Sequence, residues 1–221
     1  MKQIILVHTV QTMYLTFEKR VRAALKEEVK INNILDTFFS SNINELGYVS
    51  VENMNRLYHT LKSAELARPV CIPVVCSTLS PYLEQLQPFI SAPLLQIDKR
   101  LGPQAISKGD SIMVFASAPS AEKATISLVQ KAAREAGRSV NISSVHNTRA
   151  LEGLLSGDME TYDDQMLETA KKIKGVDIIV FAQGSSEHLS EKVSDLTGIP
   201  VITAPALLLE DIRAAVEGAS T

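Results

Sequence analysis

Tryptophan is absent from the sequence, and cysteine occurs only twice, at positions 71 and 76. The stretch between them reads as extended chain, so the two Cα atoms stand about 16 Å apart, well beyond the ~7 Å that a disulfide tolerates. Both thiols are therefore expected to be free. Charge of one sign is equally scarce: 22 basic and 25 acidic residues are interspersed, for a net charge of −3. Such a surface offers nothing to nucleic acid or to an anionic membrane, and it leaves a small molecule as the expected partner. The longest apolar run, Ile199 to Leu209, is broken by Pro200 and Pro205 and is too short for a bilayer, which needs ~20 residues. Ile4 to Val7 falls short of the ~7–15 residues of an export-signal core, and the chain is expected in the cytoplasm. No Cys/His/Asp spacing marks a metal site and no glycine-rich phosphate loop is present, so neither metal nor cofactor is expected.

What the chain does contain is apolar material in short pieces. With 45% hydrophobic residues over 221 positions, it can bury one large α/β core or two of about 100 residues each. Buried strands are predicted at Ile4–Val7, Ile31–Leu35, Val70–Val75 and Pro93–Ile97. In the second half they are predicted at Ser111–Ala116, Ser139–Val145, Val176–Phe181 and Val201–Thr203. Between them run helical patterns. Ser50 caps a helix with Met54, Leu57, Tyr58, Leu61 and Ala64 inward, and Ser120 caps another with Leu128, Val129, Ala132, Ala133 and Ala136 inward. Tyr162, Met166, Ala170 and Ile173 mark a further helix. Glu187–Leu196 is expected to be helical, with Gly198 just beyond its end, and Leu207–Val216 closes the chain.

The two halves look like copies. Strand starts Ile4 and Ile112 differ by 108 positions, and adding 108 to Cys76 gives Gly184, with Ser77 and Thr78 falling on Ser185 and Ser186. The expected architecture is α/β with two similar pseudo-symmetric lobes, each a mostly parallel sheet flanked by helices, with the active site in the cleft between them. The first lobe is expected to comprise residues 1–97 and 205–221, the second residues 98–204. A single fused sheet with accidental periodicity is the alternative.

Cys76 ends the Val70–Val75 strand and precedes a helix in which Pro81 suits the first turn. At the carboxyl end of a parallel strand, with helix amides nearby, a thiol can serve as base or nucleophile. The same residue also fits a buried core thiol, and Cys71, in mid-strand, reads as core.

The pair Val75-Cys76-Ser77-Thr78 and Phe181-Ala182-Gln183-Gly184-Ser185-Ser186, set in duplicated α/β halves, resembles the aspartate/glutamate/hydantoin racemase superfamily over nearly the whole chain. The resemblance implies a cofactor-independent isomerase, a dimer or larger, in which one cysteine from each lobe faces the substrate's α-carbon. One removes the proton and the other returns it. Here the count places Gly184 where the second cysteine is expected, so a single catalytic cysteine, Cys76, remains. Glutamate racemases carry an Asp-Ser pair after the first strand, where this chain has His8-Thr9, which points to another branch.

A single thiol still permits decarboxylation, which needs one proton donor, and cis–trans isomerisation of an enedioate, which needs one nucleophile. Racemisation would require a substitute acid, and His188 is the titratable candidate near Gly184; it equally reads as a surface histidine. His8 would bind a carboxylate or orient Cys76, or it is a histidine satisfied by backbone. Thr9 and Ser117 occupy matching turns suited to a carboxylate or to strand-end backbone groups. With Ser77, Thr78, Gly184, Ser185 and Ser186 they complete the expected substrate-binding set. Asp36 reads as a charge near the cleft or as a turn former, and His59 and His146 read as surface residues. The alternative to an enzyme is a small-acid-binding protein without chemistry.

Overall fold

The computed structural model describes residues 1–26 and 28–219, without the side chains of Asn44, Ser120 and Leu155; the helix expected to be capped by Ser120 instead starts at Pro119 with Ala118 in the cap position, so Ser120 falls inside its first turn. The chain divides into two compact units, one of Met1–Asp98 with Leu208–Thr221 and one of Lys99–Leu207.

In the first unit, β1 (Gln3–His8), β2 (Lys30–Leu35), β3 (Ile72–Val75) and β4 (Leu94–Gln96) form a sheet in the order β2-β1-β3-β4. Every pairing is parallel. Ile4 to Val7 and Ile72 to Val75 are buried without interruption, as strands covered on both faces must be. Period-two alternation sends Ile5, Val7, Ile72 and Val74 to one face, where they pack with Phe39, Leu57, Leu61, Leu79 and Leu83. Those residues come from α2 (Phe38–Leu46), α3 (Val51–Glu65), and the turn and helix α4 (Ser80–Leu86) that follow β3. Helix α1 (Gln11–Ala24) buries Phe17 and Val21. The Ser50 cap forms as expected, its side chain accepting from the Asn53 backbone N–H at 3.3 Å.

In the second unit, β5 (Ser111–Ala116), β6 (Asn141–His146), β7 (Ile178–Phe181) and β8 (Val201–Thr203) repeat the arrangement as β6-β5-β7-β8, again all parallel. Ile112, Ile178 and Val180 meet α5 (Leu101–Lys108) and α6 (Pro119–Glu135) through Leu101, Ala105, Val129 and Ala133. Phe115, Ile179 and Phe181 meet Ala150 of α7 (Thr148–Ser156), Tyr162 and Met166 of α8 (Met159–Ala170) and Val193 of α9 (Ser190–Thr197). Helix α10 (Ala204–Gly218) closes the chain. The predicted fold class is thus realised as two four-stranded parallel sheets flanked by helices.

Three helices, α2, α5 and α7, were not legible as helices. The segment of α2 is rich in Ser and Asn, which compete with helical backbone bonds, and Phe39 and Ile43 hold it by burial. In α5, Gly102-Pro103 reads as a turn. The glycine instead serves close packing, since a Cβ there would stand 2.9 Å from both Ala132 Cβ and the Leu128 carbonyl oxygen of α6. Helix α7 contains Gly153 and is followed by Gly157, yet it is capped by Asn147, whose side chain accepts from the Ala150 N–H at 3.0 Å. No helix among the described residues is long and apolar enough to cross a membrane.

Candidate active site

In open α/β sheets, ligands bind at the carboxyl ends of the strands where the strand order reverses. In the first unit that point lies between β1 and β3. The ladder pairs Val7 with Val74 and His8 with Val75, so the residues that leave the sheet side by side are Thr9 and Cys76. Across β3, Val74 pairs with Gln96; continued, that register brings Asp98 beside Cys76. Across β1, His8 pairs with Leu35, which brings Asp36 beside Thr9. The row along this edge reads Asp36, Thr9, Cys76, Asp98.

Cys76 is half-buried, and Ser77 and Thr78 after it are exposed. The chain turns through these residues before α4 begins at Ser80, with Pro81 in its first turn as expected. The Cys76 carbonyl accepts the Ser80 N–H at 3.1 Å and the Ser80 hydroxyl at 3.3 Å. Its backbone is anchored, while the hydroxyls of Ser77 and Thr78 have no hydrogen-bond partner among the described residues. Cys71 is fully buried, and burial pushes its thiol up to about 12. The two cysteines therefore sit in opposite environments.

His8 is completely buried, and Nδ1 has no hydrogen-bond partner. Nε2 lies 3.1 Å from Asn33 Oδ1, and the Asn33 amide nitrogen donates to the Glu18 carboxylate. A carboxylate only accepts, so Asn33 must turn its oxygen toward His8. The histidine therefore carries its proton on Nε2 and leaves Nδ1 as a bare acceptor. Tyr14 and Phe17 flank the ring edge-on. Burial lowers the His8 pKa, against opposing contributions from the Asn33 hydrogen bond and the Glu18 charge. In this geometry His8 has no free N–H to offer a carboxylate.

Thr9 is buried, and Asp36 accepts from Arg56 Nε at 2.5 Å and from Arg56 Nη2 at 3.0 Å, one edge of the guanidinium. Asp98, which sequence reasoning passed over, is half-buried, and burial raises its carboxyl pKa against a hydrogen bond to Ser80. The signal that would have found it is positional, a lone carboxylate just past the β4 run.

The second unit presents the matching edge with different chemistry. Phe115 pairs with Phe181, so the residues leaving the sheet together are Ser117 and Gln183. By ladder register the counterpart of Cys76 is thus Gln183, one position before the Gly184 reached by counting residues. The Gln183 side-chain oxygen accepts from the Ser117 N–H at 2.8 Å, the Ser117 hydroxyl at 2.9 Å and the Ala118 N–H at 3.2 Å. Residues Gly184–Leu189 form a 3₁₀ helix leading into α9, where an α-helix from Glu187 was expected. The buried Tyr162 hydroxyl ties down Ser186 at 2.7 Å and Ser185 at 3.1 Å. His188 is on the surface, stacked on Tyr162, with Nε2 2.6 Å from Asp163. His146 is paired with Glu122 at 2.5 Å. Among the described residues, no group of three or more His, Cys, Asp or Glu is placed to hold a metal ion.

Comparison with protein families matches residues 4–212 to the Asp/Glu/Hydantoin racemase family. The chain belongs to that family. A search of curated protein sequences found no match. Among solved structures, an aspartate racemase from Picrophilus torridus superposes with a TM-score of 0.71 at 13% identity, covering 98% of this chain and 95% of that one. An allantoin racemase from Klebsiella pneumoniae gives 0.65 at 15% identity, covering 98% and 88%. A glutamate racemase isoform from Bacillus anthracis gives 0.64 at 18% identity, covering 98% and 82%. At such identities these likenesses speak for the fold.

Membership of the racemase family makes the protein an enzyme of the isomerase class. The first unit brings Thr9, Cys76, Ser77 and Thr78 to one edge of its sheet. His8 lies beneath that edge, and His188 is exposed on the 184–189 turn.

Proposed function

We propose that this racemase-family protein is a cofactor-independent enzyme that acts on a small carboxylic acid, an amino acid or close relative, through Cys76 alone. The observation that carries this reading is the position of Cys76: half-exposed at the strand-order reversal of the first sheet, with uncommitted hydroxyls directly after it. Thr9, Ser77 and Thr78 would bind a substrate oxygen. The Cys76 thiolate would accept the α-proton, leaving its electron pair on the carbanion, delocalised into the adjoining carboxyl group. The thiol then returns the proton to the same carbon.

Returning the proton from one side exchanges it without inverting the centre, and inversion needs a second carrier on the other side. In the second sheet the register equivalent of Cys76 is Gln183, and a carboxamide does not carry a proton at neutral pH. This favours reactions that need one carrier. In decarboxylation, CO₂ leaves and Cys76 protonates the remaining carbanion; in cis–trans isomerisation of an enedioate, the thiolate adds to the double bond and leaves after rotation.

The test is Cys76→Ser assayed against aspartate, glutamate, substituted malonates and maleate. Loss of turnover by at least a thousandfold is expected, about 4 kcal/mol of transition-state stabilisation, with affinity within about tenfold of the parent. A variant that turns over at the parent rate moves the chemistry away from Cys76. A parent that binds these acids and transforms none is a binding protein.

A further inference from the structure

Each sheet ends in two edge strands, β2 and β4 in the first unit and β6 and β8 in the second. An uncovered edge is a row of unpaired N–H and C=O groups, and proteins normally blunt it with charge, proline or brevity. Strands β4 and β8 are three residues long. Strand β2 begins with Lys30, and Arg22 and Glu18 of α1 bond to the Val29 carbonyl and the Asn33 amide beside it. Strand β6 has none of these devices: it is six residues long, Asn-Ile-Ser-Ser-Val-His, without proline, lysine, arginine or a carboxylate.

The phase of this edge follows from its ends. The Asn141 N–H donates to the Asp110 carbonyl and the Asn147 N–H to that of Ala116, so Asn141, Ser143 and Val145 turn their backbone groups toward β5. Ile142, Ser144 and His146 turn theirs outward, and none of those three N–H and three C=O groups has a partner among the described residues. Beside the strand lies an open groove of about 450 Å³, lined in part by Gln130, Ala133, Arg134 and Ile142. Arg134, in the last turn of α6, pairs with no acid among the described residues. Glu122, in the first turn, lies 2.5 Å from His146 at the other end of the strand.

We propose that a second copy of this chain docks on this edge, its β6 running antiparallel to the first about a two-fold axis at Ser144. With Ser144 opposite itself and Ile142 opposite His146, each opposed pair exchanges both of its N–H···O bonds, and every outward group of both copies is satisfied. Two four-stranded sheets then become one. No like charges meet along the strand, and the reversal of direction brings Glu122 of one copy to the end of the groove where the other carries Arg134. The helices fit as well. Helix α6 packs on β5 and β6 together, so its two copies stand two strand spacings apart, roughly 10 Å, which is a helix-packing distance. An unrelated extended peptide would reach the same backbone groups, but the match of Glu122 to Arg134 selects a second copy.

Sedimentation equilibrium of the parent at about 100 μM should show a dimer. Ser144→Lys sets two ammonium groups against each other across the axis, at a position that is exposed in the single copy. Ser144→Pro removes an outward N–H and no bond to β5. Each should raise the dimer dissociation constant at least tenfold with the circular dichroism spectrum unchanged. A parent that is monomeric at that concentration overturns the proposal, as does a dimer that both folded variants leave intact. In the unaltered protein at the same concentration, the amides of Ile142, Ser144 and His146 should exchange hydrogen at least a hundredfold more slowly than those of an unstructured chain. Exchange at the unstructured rate overturns the proposal even if both variants fail to fold.

Discussion

Two turns occupy the same point of two sheets and are built in opposite ways. In the first unit the turn after β3 is open: Cys76 is half-buried, and the hydroxyls beyond it are exposed and uncommitted. In the second unit the turn after β7 is spoken for, with the Gln183 oxygen bonded to Ser117 and Ala118, and Ser185 and Ser186 bonded to Tyr162. A duplicated scaffold usually keeps its chemistry at both copies of an edge only where both are needed. Here one copy presents a half-buried thiol and the other a side chain fixed by three hydrogen bonds. The contrast teaches that the same strand order and register can carry different side chains, and different hydrogen bonding, at equivalent turns.

The sharpest test of the open turn is a comparison of the two thiols in the same unit. A thiol pushed up to about 12 from an ordinary 9.0 has about a thousandth of the usual thiolate at neutral pH, before any barrier from burial is added. Brief iodoacetamide treatment followed by peptide mapping should label Cys76 at least a hundredfold faster than Cys71. Equal rates would mean that the edge at Cys76 is closed.

A second experiment tests which residue of the second turn is the counterpart of Cys76. The ladder register assigns Gln183, and the residue count assigns Gly184. Gln183→Cys should therefore create a second proton carrier, whereas Gly184→Cys should not. With an acid that the parent deprotonates, in deuterated water, chiral chromatography should show inversion at least tenfold faster in Gln183→Cys than in the parent. Inversion appearing in Gly184→Cys alone would restore the gapless count, and inversion by the parent would end the single-thiol reading.

That one-residue difference shows what sequence could and could not deliver. Strand cores were legible because runs such as Ile72–Val75 and Ile178–Phe181 are apolar on both faces, and the repeat of such runs carried the fold. A count along the chain also includes the loops and helices between strands, which gain or lose residues freely; hydrogen-bonded pairing does not slip with them. From His8 to Cys76 the chain advances 68 positions, while from Ala116 to Gln183 it advances 67. No sequence pattern announces where that residue was lost. The orientation of the Gln183 amide was equally hidden, since it follows from two backbone N–H groups 65 and 66 positions away. His8 was found as a residue, but its burial and its tautomer depend on Asn33 and Glu18 from other elements.

The smallest effect separates the strand ends one residue earlier, His8 in β1 and Ala116 in β5, both fully buried. Burial depresses the His8 pKa below 6.5 in the folded protein, while the unfolded chain takes up its proton near ~6.5. As pH falls below about 6.5 the unfolded state therefore binds more protons than the folded one, and stability declines until the folded pKa is passed. Above that window His8 is neutral in both states and contributes no pH dependence. One proton limits the slope to about 1.4 kcal/mol per pH unit. His8→Gln should flatten this part of the curve, measured by urea unfolding between pH 5 and 7. It leaves the second unit unaffected, because Ala116 has nothing to titrate. An unchanged slope in the variant would mean that His8 takes up its proton in the folded state as readily as in the unfolded chain, with Nδ1 meeting water or a partner outside the sheet.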